Sequence, residues 1–167
     1  MSLTLHSICA PIFLRTLNNM LVWLDKAEQH AQARKFDPAN YLGLRLAPDM
    51  LPFTRQIQIV TDGVKGCMAR LSGQDVPKWD DNETTLDELR ARIRKALDYV
   101  QSFEAAQIDG NEGREIMLPT RHGEPLRFTG ESYVKHYVLP NLYFHATTTY
   151  ALLRHAGVEL GKRDFLG

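Results

Sequence analysis

YVKHYVLPNLYFHATTTYALLRHAGVELGKRDFLG, residues 133–167, is the stretch that decides the fold. Read as a helix from about residue 130, it carries a seam of Val134, Val138, Asn141, His145, Thr148 and Leu152. The steps alternate between four and three residues, so these side chains face one partner surface. Asn141, His145 and Thr148 are three consecutive polar members of what should be an apolar stripe. A polar group in a core is costly unless it has partners. The middle of this helix therefore holds either a satisfied polar network or a binding site.

The rest of the chain supplies partners for that seam. A first helix is expected from about residue 3 to residue 34, with the seam Leu3, His6, Ala10, Phe13, Leu17, Met20, Leu24, Ala27 and Ala31. Pro11 lies within it and implies a kink or a late start. A linker follows, with Asp37-Pro38 and Gly43. The second helix is expected from about residue 48 to residue 71, with Pro48 in its first turn. Its seam is Met50, Phe53, Ile57, Val60, Val64, Cys67 and Leu71, and Ser72-Gly73 ends it. The third begins at Thr84 or Thr85, where Thr85 and Glu88 fit a capping box. It carries Leu86, Leu89, Ile93, Ala96, Val100 and Phe103. Four helices with matching seams make an all-α four-helix bundle, a single domain over residues 1–167.

Connection lengths refine the topology. SGQDVPKWDDNE separates helices two and three, and when extended it can reach about 40 Å. A 24-residue helix is about 36 Å long, so this linker can run the length of the bundle and leave helices two and three parallel. Between helices three and four, Ile116 and Leu118 alternate, as do Leu126 and Phe128, around a polar turn at Arg121-His122-Gly123. That pattern predicts a small β-hairpin laid over one end of the bundle.

Composition excludes several functions. The chain has 167 residues, 44% of them hydrophobic, which is enough for a core. Lysine plus arginine and aspartate plus glutamate both total 20, so there is no basic field for nucleic acid. The two cysteines, Cys9 and Cys67, fall in apolar stripes and read as buried thiols of a reduced, cytoplasmic protein. No signal peptide is expected at the start, and no apolar run of membrane-spanning length. H-E-x-x-H, C-x-x-C, G-x-S-x-G and a phosphate-cradling glycine loop are all missing.

His145 has three readings: metal ligand, general base, or core histidine using both ring nitrogens. A metal site needs several converging ligands. On the second helix Arg45, Asp49, Pro52 and Gln56 form a polar stripe beside the seam, or else Arg45 and Asp49 pair on a solvated face. Gln56 and His145 both lie near their helix midpoints and can be level. His6 sits too near the start of helix one, His30 suits the negative end of that helix, and His122, His136 and His155 read as surface or packing residues. Asp80-Asp81-Asn82-Glu83 is read as favouring a helix N-terminus. Tyr133, Tyr137 and Phe144 form an aromatic stripe that either packs on a neighbour or walls a pocket or dimer contact. In the tail, Phe165 and Leu166 should dock, with Lys162, Arg163 and Asp164 in charge contacts.

RLAPDMLPFTRQ (residues 45–56), PNLYFH (residues 140–145) and the ending LRHAGVELGKRDFLG resemble a bacterial family of unknown function grouped with the DinB-like, or YfiT-like, four-helix bundles. The resemblance spans nearly the whole chain. It implies an up-down-down-up bundle and a homodimer. Many DinB-like proteins are similar to metal-dependent thiol transferases or hydrolases that use three histidines, two of them four residues apart on the last helix. His145 matches the second of that pair and Asn141 stands at the first. The histidine of the second helix has no counterpart, so Asp49 or Gln56 would take its place.

The reading that follows is a pocket protein that binds a small polar molecule at Asp49, Gln56, Asn141 and His145. It needs no metal or other cofactor and no nucleic-acid or membrane partner. The alternatives are a divergent metal-dependent transferase or hydrolase working through His145 and Asp49, and a structural bundle without ligand. Catalytic residues, if any, are not identified at this level.

Overall fold

The last helix is continuous in space but not uniform. In the computed structural model, which describes residues 3–120 and 123–167, it comprises α5 (Gly130–Tyr133), a π turn over Val134–Val138 and α6 (Leu139–His155). Its partners are α1 (Leu5–Arg34), α2 (Phe53–Ser72) and α3 (Leu86–Gln101). Shorter helical elements are a 3-10 turn over Pro38–Tyr41, α4 (Ala105–Ile108) and α7 (Lys162–Leu166). Strands β1 (Glu115–Leu118) and β2 (Leu126–Thr129) pair antiparallel, with Glu115 opposite Thr129 and Leu118 opposite Leu126. The expected hairpin is present, though Leu126 faces out; Arg121 and His122 of its turn lie outside the described residues.

Side-chain pairs fix the helix directions. Gln56 meets His145, a Cβ on Gly63 would meet Asn141, and Arg70 meets Tyr133, so α2 and the last helix are antiparallel. Arg90 near the start of α3 reaches Leu24 and Glu28 in the second half of α1, while Asp109 beyond α3 accepts from the His6 backbone N–H. These two helices are antiparallel as well. Trp23 packs edge-on to Tyr150, and His30 lies against Gly157, so α1 and α6 run the same way. The result is the up-down-down-up bundle, with α2 and α3 parallel.

The crossover between those parallel helices is anchored rather than loose. Trp79 takes the ammonium groups of Lys65 and Lys95 on its ring at 4.5 and 4.7 Å and meets Tyr99 edge-on. Arg92, only 4% exposed, donates to Thr61 Oγ1 at 2.7 Å and to the Asp80 carbonyl at 2.8 Å. It also pairs with Asp62, Asp81 and Glu83 at 3.0, 2.9 and 2.9 Å. The acidic run, expected from sequence to favour a helix N-terminus, supplies no cap to α3. It folds back onto a buried guanidinium, while the capping box of Thr85 and Glu88 serves α3 alone. Breaking such a buried pair typically costs about 3–5 kcal/mol.

Other boundaries also moved. Residues 48–52 are not helical: Pro52 is the N-cap of α2, and Met50 bonds back to the Ala47 carbonyl. Leu3 is exposed because Thr4 caps α1 behind it, and His6 is only half-buried. Pro11 sits inside α1. By length and composition α1 is apolar enough to cross a membrane, contrary to the sequence expectation. Its stripe of Cys9, Phe13, Leu17, Met20 and Leu24 is buried within the bundle, as for a core helix. Cys9 and Cys67 meet inside that core, where burial and the neighbouring thiol push the Cys67 thiol well up.

The π turn has the largest effect on the seam. Leu139 N–H bonds to the Val134 carbonyl, one residue further back than in an α-helix. Pro140 follows directly and falls in the first turn of α6, where a missing N–H is tolerated. The added residue rotates the helix beyond it. Leu142 and Ala146, rather than Asn141 and His145, are thus fully buried, and Thr149 lies deeper than Thr148. Asn141 and His145 stand on the half-buried flank facing α2.

Candidate functional site

Gln56 and His145 form the polar pair at the α2–α6 seam. His145 Nδ1 lies 2.7 Å from Gln56 Oε1, and Gln56 Nε2 donates to the Leu51 carbonyl at 2.8 Å. The Leu51 carbonyl accepts only, so the Gln56 amide nitrogen must face it and the amide oxygen must face His145. An oxygen acceptor there requires the His145 proton on Nδ1. The lone pair of the neutral ring is then on Nε2. This nitrogen makes no hydrogen bond among the described residues and is not sealed off, since no buried side-chain nitrogen or oxygen lacks a partner. Burial lowers the His145 pKa and favours the neutral ring that keeps this lone pair available. Phe144, 57% exposed, meets the imidazole edge-on at 5.1 Å.

Gln56 is 1% exposed, so it orients His145 rather than touching a ligand. Asp49 does not belong to this group. It is exposed in the turn before α2, because the helix that would have carried it beside Gln56 starts four residues later. Arg45 does not pair with it either; its guanidinium donates to the Met50 carbonyl. His30 is bound to the Tyr41 hydroxyl at 2.6 Å, and His136 and His155 are exposed. His122 lies outside the described residues.

One turn from His145, Asn141 lines a hollow of about 240 Å³ between α2, the last helix and the hairpin. Its other walls include Asp62, Gly63, Arg70, Tyr133 and Tyr137, with Leu118 and Pro119 from the hairpin. Arg70 Nη1 donates to the Tyr133 hydroxyl at 3.1 Å, and burial raises the pKa of that phenol. Tyr133 and Tyr137 stack with ring centres 5.9 Å apart, and Phe128 leans on both. The aromatic stripe thus divides: two rings wall the hollow, and Phe144 flanks His145. Arg70 was missed in the sequence. Its available signal was Gly66, one helical turn earlier, where a side chain would collide with the guanidinium.

The DUF1993 family, described only as a domain of unknown function, matches residues 5–166. The chain belongs to the DUF1993 family. Among solved structures, this DUF1993 protein is similar to one described as a DinB family member from Shewanella denitrificans. The two are 42% identical, with a TM-score of 0.88 over 98% of this chain and 92% of that chain. The bundle with its small hairpin is the DinB-like fold. No curated protein matches the chain.

The DinB-like histidine set does not fit the residues of this DUF1993 protein. At the α2–α6 seam it has one imidazole and two amides, and amide carbonyls are poor ligands for transition metals. Among the described residues no group of three or more histidine, cysteine, aspartate or glutamate side chains is placed to hold an ion. What the site offers instead is an imidazole of fixed tautomer, beside a polar hollow.

Proposed function

We propose that this protein binds a small polar molecule on the flank between α2 and the last helix, reaching from the Asn141 hollow to His145. In this reading His145 Nε2 accepts a hydrogen bond or proton from the ligand, Asn141 contacts it, and Gln56 holds the imidazole in place. The observation that carries the reading is the Gln56–His145 bond, whose chemistry leaves Nε2 as an unused acceptor. A purely structural pair would be expected to satisfy both ring nitrogens within the core. The two unpaired thiols suit a reducing, cytoplasmic setting.

The test is a nuclear magnetic resonance screen of small polar metabolites against protein labelled at histidine, with melting temperature as a second readout. At least one compound should shift the His145 ring signals saturably and raise the melting temperature, and His145→Gln should abolish both effects. A screen in which His145 never responds would favour the structural bundle. Stoichiometric zinc or nickel that is lost in His145→Gln would favour the metal-dependent reading.

A further inference from the structure

The hollow beside Asn141 holds a guanidinium that pairs with no carboxylate among the described residues. This is Arg70, which uses Nη1 on the Tyr133 hydroxyl, leaving most of its five N–H donors unused. The Tyr133 hydroxyl accepts from Arg70, so its own proton is left to donate. The Tyr137 hydroxyl and the Asn141 side-chain amide line the same space and make no hydrogen bond among the described residues. The carboxylate in the wall, Asp62, has its charge offset by Lys65 at 2.6 Å and Arg92 at 3.0 Å, both bound to Oδ1. A space that holds a guanidinium with no carboxylate partner, beside hydroxyl and amide groups able to donate, is complementary to a ligand that carries negative charge.

We infer that this hollow binds the carboxylate of a small organic acid, with Arg70 as its charge partner and Tyr133, Tyr137 and Asn141 as further donors. A guanidinium and a carboxylate match in plane and spacing, so Arg70 can offer two parallel N–H bonds. The volume of about 240 Å³ suits a small acid, being on the order of eight waters at liquid density. Gly66 is part of the site because it makes room for the guanidinium: the three atoms nearest to a Cβ placed there all belong to Arg70. The inference rests on the reading of this flank as a ligand site, and it specifies the class of ligand.

The experiment titrates succinate, and separately inorganic phosphate, into the full-length protein at constant ionic strength. Signals of Arg70 Nε–H, the Asn141 amide and the His145 ring are followed in wild type, Arg70→Gln and Gly66→Ala. Succinate should shift Arg70 and Asn141 saturably in wild type. Its affinity should fall at least about tenfold in Arg70→Gln, the scale of one charged hydrogen bond. Gly66→Ala should displace the guanidinium and lose a similar factor while melting no lower than wild type, since alanine is the better helix former. That variant separates loss of the site from loss of the fold.

No saturable shift at Arg70 with succinate overturns the inference, as does an affinity unchanged in Arg70→Gln. Tighter binding of phosphate than succinate overturns the carboxylate assignment. If metabolites shift His145 while Arg70 stays silent, the ligand site stands and this inference falls. If neither residue responds to any compound, both fall.

Discussion

At the residue scale, His145 was legible as a half-polar intrusion into a seam, but its surroundings were not. Periodicity placed it level with Gln56, because both fall near the middle of their helices. It could not place Asp49, because that required knowing where α2 begins, and Pro52 rather than Pro48 marks the start. Arg90 and Arg92 were invisible to pattern reading, since arginine ordinarily signals a solvated face; here both are buried among carboxylates. The lowered pKa of His145 has a measurable consequence. In the unfolded chain the ring titrates at its ordinary value of 6.5, and in the folded protein it takes up its proton only at lower pH. Above that value the two states bind equal numbers of protons at this ring. As pH falls below it the unfolded state protonates first, so stability is lost down to the folded pKa. Wild type should therefore lose more stability than His145→Gln between about pH 7 and pH 5, in chemical denaturation across that range. Parallel curves for the two proteins would refute a depressed histidine.

At the element scale, the seams of α1 and α3 were readable because each helix is regular over its buried turns. The last helix was harder because one turn is π. Val134 and Val138 set a phase that the extra residue cancels, and no hydrophobic count reveals an added backbone residue. Pro140 was the only local sign. The tail was partly foreseen. Phe165 stacks on Trp23 at 5.6 Å and meets Tyr150 edge-on, and Asp164 pairs with Lys26 at 2.7 Å. The Trp23 indole N–H and the Asn19 amide donate to the Asp164 and Phe165 carbonyls. Leu166, however, is 53% exposed, and Lys162 and Arg163 form no ion pair among the described residues, because a single turn of helix presents one face only. Removing residues 162–167 uncovers Trp23 and one face of Tyr150. It should lower stability by about 1.5–3 kcal/mol less the entropy of ordering the segment, read as a lower melting temperature. An unchanged melting temperature would mean that α7 contributes nothing to the fold.

At the scale of the whole molecule, the length of one linker was enough to indicate parallel α2 and α3, because an antiparallel turn needs only a few residues. What holds that linker down, Trp79 and Arg92, depended on contacts between residues up to 31 positions apart and could not be read locally. Assembly is a further expectation at this scale. We propose a homodimer formed through an exposed aromatic face that includes Tyr143 and Phe144, and light scattering should return twice the 19.0 kDa of one chain. A mass of one chain at micromolar concentration would exclude it. The parallel run of α1 and α6 also orders events in time. Arg92 reaches Asp62 across 30 residues of chain, whereas Trp23 reaches Asp164 across 141. Closing the longer loop first would cost about 1.4 kcal/mol more in chain entropy. We predict that the seam joining the two ends of the sequence is the last to zip during folding and the first to part. Losing α7 should then speed unfolding several-fold and leave the folding rate almost untouched, which makes the tail a latch on the lifetime of the native state.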